Sequence, residues 1–136
     1  MKTDRRAFAA ALGWAALIFF ASVMPTPPAP APDWPLDKVF HALVYLPLGA
    51  LLFLAIGPGM HSVFQRALVS ALATGGFGLA LEVVQYCLPW RSFEWADAGV
   101  DLLGGVVGAA GAGYWWRARG LFAKSIPKTL KPGSGP

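Results

Sequence analysis

Apolar runs of membrane-crossing length alternate along this chain with short polar or proline-rich breaks, and the pattern predicts four helices. The first run, AFAAALGWAALIFFASVM over 7–24, carries no charge. At about 1.5 Å rise per residue it nearly crosses a hydrocarbon core of about 30 Å. Basic residues precede it, as in a signal peptide. The run is long for such a core, and the Ala-x-Ala that follows lies between prolines, so it reads as a retained helix. The second run, over 38–56, holds Pro47, which predicts a kink. The third, over 66–88, stops before Pro89, and the fourth, over 97–116, is rich in glycine. No stretch alternates as a half-buried strand would.

The breaks have their own chemistry. Prolines at 25, 27, 28, 30, 32 and 35 predict an extended, polyproline-like connector. GPGMHS over 57–62 is a turn by composition, and PWRSFEWAD leads into the last helix. Glycines at 99, 104, 105, 108, 111 and 113 give that helix a smooth face, with Gly104 and Gly108 in GxxxG spacing. Such faces serve within one bundle or between copies in a homo-oligomer. Tyr114, Trp115 and Trp116 form an interfacial aromatic belt. Beyond Arg117 the chain is basic and broken by proline and glycine, a tail suited to anionic headgroups. The expected organisation is therefore all-α: one four-helix transmembrane domain over 1–120 and a disordered cytoplasmic tail over 121–136.

Composition agrees. Of 136 residues, 56% are hydrophobic and 13% charged, about half the charged fraction of a soluble domain. The net charge of +4 does not point to nucleic acid, because the basic residues gather at the chain ends rather than in an aromatic-studded stripe. Sorted by side, the ends and the second turn carry Lys2, Arg5, Arg6, Arg66, Arg117, Arg119, Lys124, Lys128 and Lys131 against Asp4. The other two breaks and their flanks carry Lys38 and Arg91 against Asp33, Asp37, Glu82, Glu94, Asp97 and Asp101. By the positive-inside rule both termini are cytoplasmic, in a multi-pass protein of the inner (plasma) membrane. The single cysteine, Cys87, excludes an internal disulfide and is read as a packed thiol.

This topology brings the start of helix two, the end of helix three and the start of helix four to the outer face, with polar pairs at helical spacing. Asp37 and His41 share a face, extended by Tyr45; Glu82 pairs with Gln85 and Asp97 with Asp101. Ionisable residues inside spans are functional candidates by default. Glu82, about 10 Å below Pro89 along the axis, is expected to be the most buried acid. It is either a neutral donor or the ion-pair partner of Arg91 or protonated His41.

The ordered motifs Asp37-Lys38-x-x-His41, Glu82-x-x-Gln85 and Pro89-x-Arg91-Ser92-Phe93-x-x-x-Asp97, followed by Gly104, resemble the VanZ-like family of small membrane proteins over about residues 10–116. The chain departs from the family pattern at Asp101, where asparagine is common. The resemblance implies a link to resistance against teicoplanin, a lipoglycopeptide, and marks Asp37, Lys38, His41, Glu82, Gln85, Arg91 and Asp97 as family-matching polar positions.

Physical chemistry alone then assigns roles. An outward site for an envelope lipid or lipid-linked cell-wall precursor needs an Arg fork, polar groups below the headgroup plane and apolar walls; Trp34, Trp90 and Trp95 would flank it. In a catalytic version, hydrolysis or group transfer, His41 is the general acid or base, Glu82 or Asp97 orients or protonates, and Arg91 stabilises anionic charge. Asp37, Lys38, Tyr45, Gln85 and Asp101 would contact the headgroup. No cofactor is required; a divalent metal on Asp37, His41, Glu82, Asp97 and Asp101 is the variant. A proton or ion pathway is the competing class, set back by the uncharged inner halves of the spans. A purely structural network, with Arg91 paired to Asp97 or Glu94, is the third reading.

Overall fold

The computed structural model describes residues 3–25, 34–57 and 62–125, without the side chains of 34, 35 and 122–125. It contains four helices: α1 (Arg5–Val23), α2 (Trp34–Ala55), α3 (Val63–Tyr86) and α4 (Trp95–Ser125). No strand occurs among the described residues, so the fold is all-α. α1, α2 and α3 are each long and apolar enough to cross a membrane. α4 falls short of the same apolarity, because its glycines add little hydrocarbon and Asp97 and Asp101 lie in its first two turns.

Helix ends follow local chemistry. Asp4 caps α1 by accepting hydrogen bonds from the Arg6 and Ala7 amides, and its own amide donates to the Ala55 carbonyl, tying the start of α1 to the end of α2. α2 begins at Trp34, inside the expected connector. Pro35 falls in the first turn, where a missing amide proton has no intrahelical partner to lose. The helix continues through Pro47, which withdraws the donor to the Leu43 carbonyl. Ser62 and Gln65 form a capping box at the start of α3. α4 extends past the expected end at Trp116 to Ser125. Most of the proline connector (26–33), most of the second turn (58–61), the Trp34 side chain and the tail over 126–136 lie outside the described residues.

α2 and α4 make the closest pair, α3 also packs on α4, and α1 leans on α2 and α3. Close approach depends on glycine. A Cβ at Gly104 would land on the Ala42 carbonyl, one at Gly108 on the Leu46 carbonyl, and one at Gly49 on Gly105. The GxxxG face is therefore used inside the bundle. Large apolar side chains such as Phe20, Leu72 and Leu103 point outward, whereas the largest fully buried side chains are Phe53, Glu82, Thr74, Asp101 and Ser70. Outward apolar surface around a small, polar interior is the arrangement a bilayer selects.

Candidate functional site

Lys38, near the start of α2, is the hub of the polar cluster. Its Nζ donates to Glu94 Oε2 at 2.8 Å, to Asp97 Oδ1, and to Asp37 Oδ2 at 3.4 Å. One turn further on, the His41 ring sits between two carboxylates, with Nδ1 3.0 Å from Asp101 Oδ1 and Nε2 3.8 Å from Asp97 Oδ2. An ionised carboxylate only accepts, so with Asp101 charged Nδ1 carries a proton. This fixes the ring and leaves Nε2 to exchange a proton with whatever approaches. Tyr45, a further turn along, brings its hydroxyl to Asp101. The three α2 residues reach α4 because the glycines let the two backbones touch.

α3 contributes Glu82, Gln85 and the turn after them. Glu82, 2% exposed, accepts from the Glu94 amide at 2.9 Å, so a side chain of α3 holds the backbone just ahead of α4. It forms no ion pair with Arg91 or His41, one of the two alternatives left open for it. Asp101, 1% exposed, is buried as deeply as Glu82, since the glycine at 78 leaves room for its carboxylate against α3. Gln85 donates to the Ser22 carbonyl at 3.2 Å, and Trp90 to the Val23 carbonyl at 3.4 Å, securing α1. Trp90 and Trp95 are exposed, as interfacial residues should be.

Asp97 and Glu94, which a purely structural network would pair with Arg91, both go to Lys38. Among the described residues Arg91 has no ion pair, and its Nε is buried without a hydrogen-bond partner. Its side chain lines two adjoining cavities. One, of about 360 Å³, has apolar walls from Ile18, Phe40 and Val44. The other, of about 180 Å³, is walled by polar side chains including Glu94 and Asp97. Asp37, His41, Gln85 and Arg91 are common to both.

Helices of this length around such a cluster agree with one comparison. The family model described as VanZ/LLP1 matches residues 5–116. This chain belongs to the VanZ/LLP1 family. With three membrane-length apolar helices, it is a multi-pass membrane protein. None of the curated proteins or solved structures compared with it matches.

All the family-matching polar positions lie within that span, and the VanZ/LLP1 fold gathers them at one end of the bundle. Asp37, His41 and Asp97 can each present one ligand atom within 4.8 Å of the others, a donor set suited to a hard or borderline divalent cation. Lys38 already sits among two of these acids, so a metal there would displace its ammonium. Glu82 and Asp101 stand outside that ligand group.

Sequence reasoning missed a second polar feature of the VanZ/LLP1 chain. Arg66, read as a charge of the second turn, is 2% exposed. It donates to the Phe53 carbonyl at 2.9 Å, and its guanidinium lies over the rings of Phe53 at 4.2 Å and Trp116 at 5.1 Å. The end of the bundle away from the Lys38 cluster is thus not free of charge. Ser70 and Thr74, both fully buried, continue the row, each donating to the carbonyl four residues earlier at 2.8 Å. With Glu82 and Gln85 they form a buried polar stripe on α3 about 28 Å long. Its signal was present in the sequence as polar residues at 66, 70, 74 and 82, in steps of four or eight.

Proposed function

We propose that this VanZ/LLP1 protein spans the plasma membrane four times, with both termini cytoplasmic, and uses the Lys38–His41–Arg91 end as an outward-facing site. The site binds an amphiphilic envelope molecule, a lipid or lipid-linked precursor, and contributes to tolerance of lipoglycopeptides such as teicoplanin. The single observation that carries this reading is Arg91, a guanidinium without an ionic partner among the described residues, on a cavity that Ile18, Phe40 and Val44 also line. An unpaired cation at that boundary suits a phosphate or carboxylate, which it can meet with two parallel hydrogen bonds, while Ile18, Phe40 and Val44 suit the first methylenes of a chain. The charge asymmetry supports the orientation: with the buried Arg66 left out, eight basic residues fall on one side and two on the other. If chemistry occurs, His41 is placed to move the proton and Asp101 to hold the ring.

The test is mass spectrometry of lipids retained by the purified protein, with teicoplanin susceptibility of expressing cells as the cellular readout. Arg91→Ala and Glu82→Gln should lose lipid enrichment and tolerance while the proteins still fold. Equal loss of folded protein in both variants would instead favour a purely structural network. A second reading, a proton or ion path, draws on the α3 stripe that continues inward to Arg66. Ser70 and Thr74 donate their only hydroxyl protons to carbonyls of their own helix, which ranks it lower. Flux in liposomes that disappears on Glu82→Gln would reverse that order.

A further inference from the structure

The charges around the paired cavities are unbalanced in a specific way. Lys38 is shared by Asp37, Glu94 and Asp97, so these four groups carry a formal charge of about −2 when ionised. Asp97 is held deep in the cluster, with 12% of its side chain exposed. Asp37 and Glu94 are about half exposed, at 50% and 49%. Both face the polar cavity that Arg91 also lines. One compartment of about 180 Å³ therefore presents an unpaired guanidinium together with two accessible carboxylates that have only a third share of one ammonium. An anionic headgroup alone would satisfy Arg91 and add to the negative charge beside it. A simple cation would leave Arg91 unpaired. A molecule bearing both charges satisfies both sides.

We infer that the occupant is a zwitterionic aminophospholipid, its phosphate on Arg91 and its primary ammonium between Asp37 and Glu94, with its acyl chain along Ile18, Phe40 and Val44. This rests on the amphiphile-binding reading above and narrows it. A phosphoethanolamine group is of the size of the polar cavity, whereas a disaccharide-peptide headgroup far exceeds it. The primary ammonium supplies three donors to acceptors that are otherwise short of them.

The experiment uses the full chain reconstituted into nanodiscs of equimolar phosphatidylethanolamine and phosphatidylglycerol, with and without undecaprenyl phosphate, followed by detergent extraction and mass spectrometry of retained lipid. Several-fold retention of phosphatidylethanolamine over phosphatidylglycerol is expected. Asp37→Asn with Glu94→Gln should bring that ratio to about one. Arg91→Ala should reduce retention of both lipids by about tenfold, the factor that corresponds to about 1.4 kcal/mol. Asp37→Asn alone, at a half-exposed side chain, serves if the double variant fails to fold, and should lower the ratio at least twofold. Preferential retention of phosphatidylglycerol or undecaprenyl phosphate, or a ratio indifferent to Asp37 and Glu94, overturns this inference and leaves amphiphile binding standing. Retention of no lipid above the nanodisc background overturns both.

Discussion

Replacing Lys38 by methionine tests the architecture most directly, because it removes the one cation that α2 places among the acids of α4 while keeping the side-chain volume. Removing one partner of a buried ion pair costs about 3–5 kcal/mol, since the other charge stays buried and uncompensated. Here the lower end applies. Asp37 and Glu94 are half exposed and can be rehydrated, so the cost falls on Asp97, whose side chain is 12% exposed. Lys38→Met should therefore destabilise by about 3 kcal/mol. Neutralising the orphaned acid as well, Lys38→Met with Asp97→Asn, should recover all but about 1 kcal/mol, because replacing a whole buried pair is often close to neutral. Reversible unfolding in mixed micelles, followed by circular dichroism across the four variants of the cycle, gives the coupling energy. A Lys38→Met cost under about 1 kcal/mol, or a double variant as unstable as the single, would refute the picture of a desolvated hub.

Two further predictions concern the frame and the ring. Gly108→Ala should cost about 1–3 kcal/mol by overpacking, because the new methyl meets the Leu46 carbonyl. Gly111→Ala, which meets nothing within 4 Å, should gain about 0.5–1 kcal/mol from helix propensity alone. The same unfolding titration reads both, and equal effects would mean that α2 and α4 are not in backbone contact. Asp101→Asn keeps a hydrogen-bond partner for His41 and should stay within about 1 kcal/mol of the parent, whereas Asp101→Leu leaves the half-buried ring without its Nδ1 partner at a cost of about 1–3 kcal/mol. Parity between the asparagine and leucine variants would show that the His41–Asp101 bond is not formed.

Much of this was legible in one dimension. Four apolar runs separated by proline, glycine and charge predict four helices, because hydrophobic length and helix-breaking chemistry are local properties. The polar residues of the cluster could also be named, since pairs such as Asp37 and His41 or Asp97 and Asp101 share a face whatever surrounds them. Helix ends were less legible. The same proline that breaks a helix interior is tolerated in a first turn, so Pro35 belongs to α2 rather than to the connector.

Sequence by itself thus determined which residues are costly to bury, and at which end of each helix they lie, because helical periodicity and hydropathy are written residue by residue. Only the tertiary structure decided who meets whom. It gave Asp97 and Glu94 to Lys38, left Arg91 without an ionic partner on a cavity, set Glu82 on the Glu94 amide, and buried Arg66 against Phe53 and Trp116. Those choices depend on how closely two helices approach and at what rotation. That is set by how the glycine face of α4 fits the α2 backbone at Ala42, Leu46 and Gly49, a property of pairs of helices that the spacing along either one does not contain.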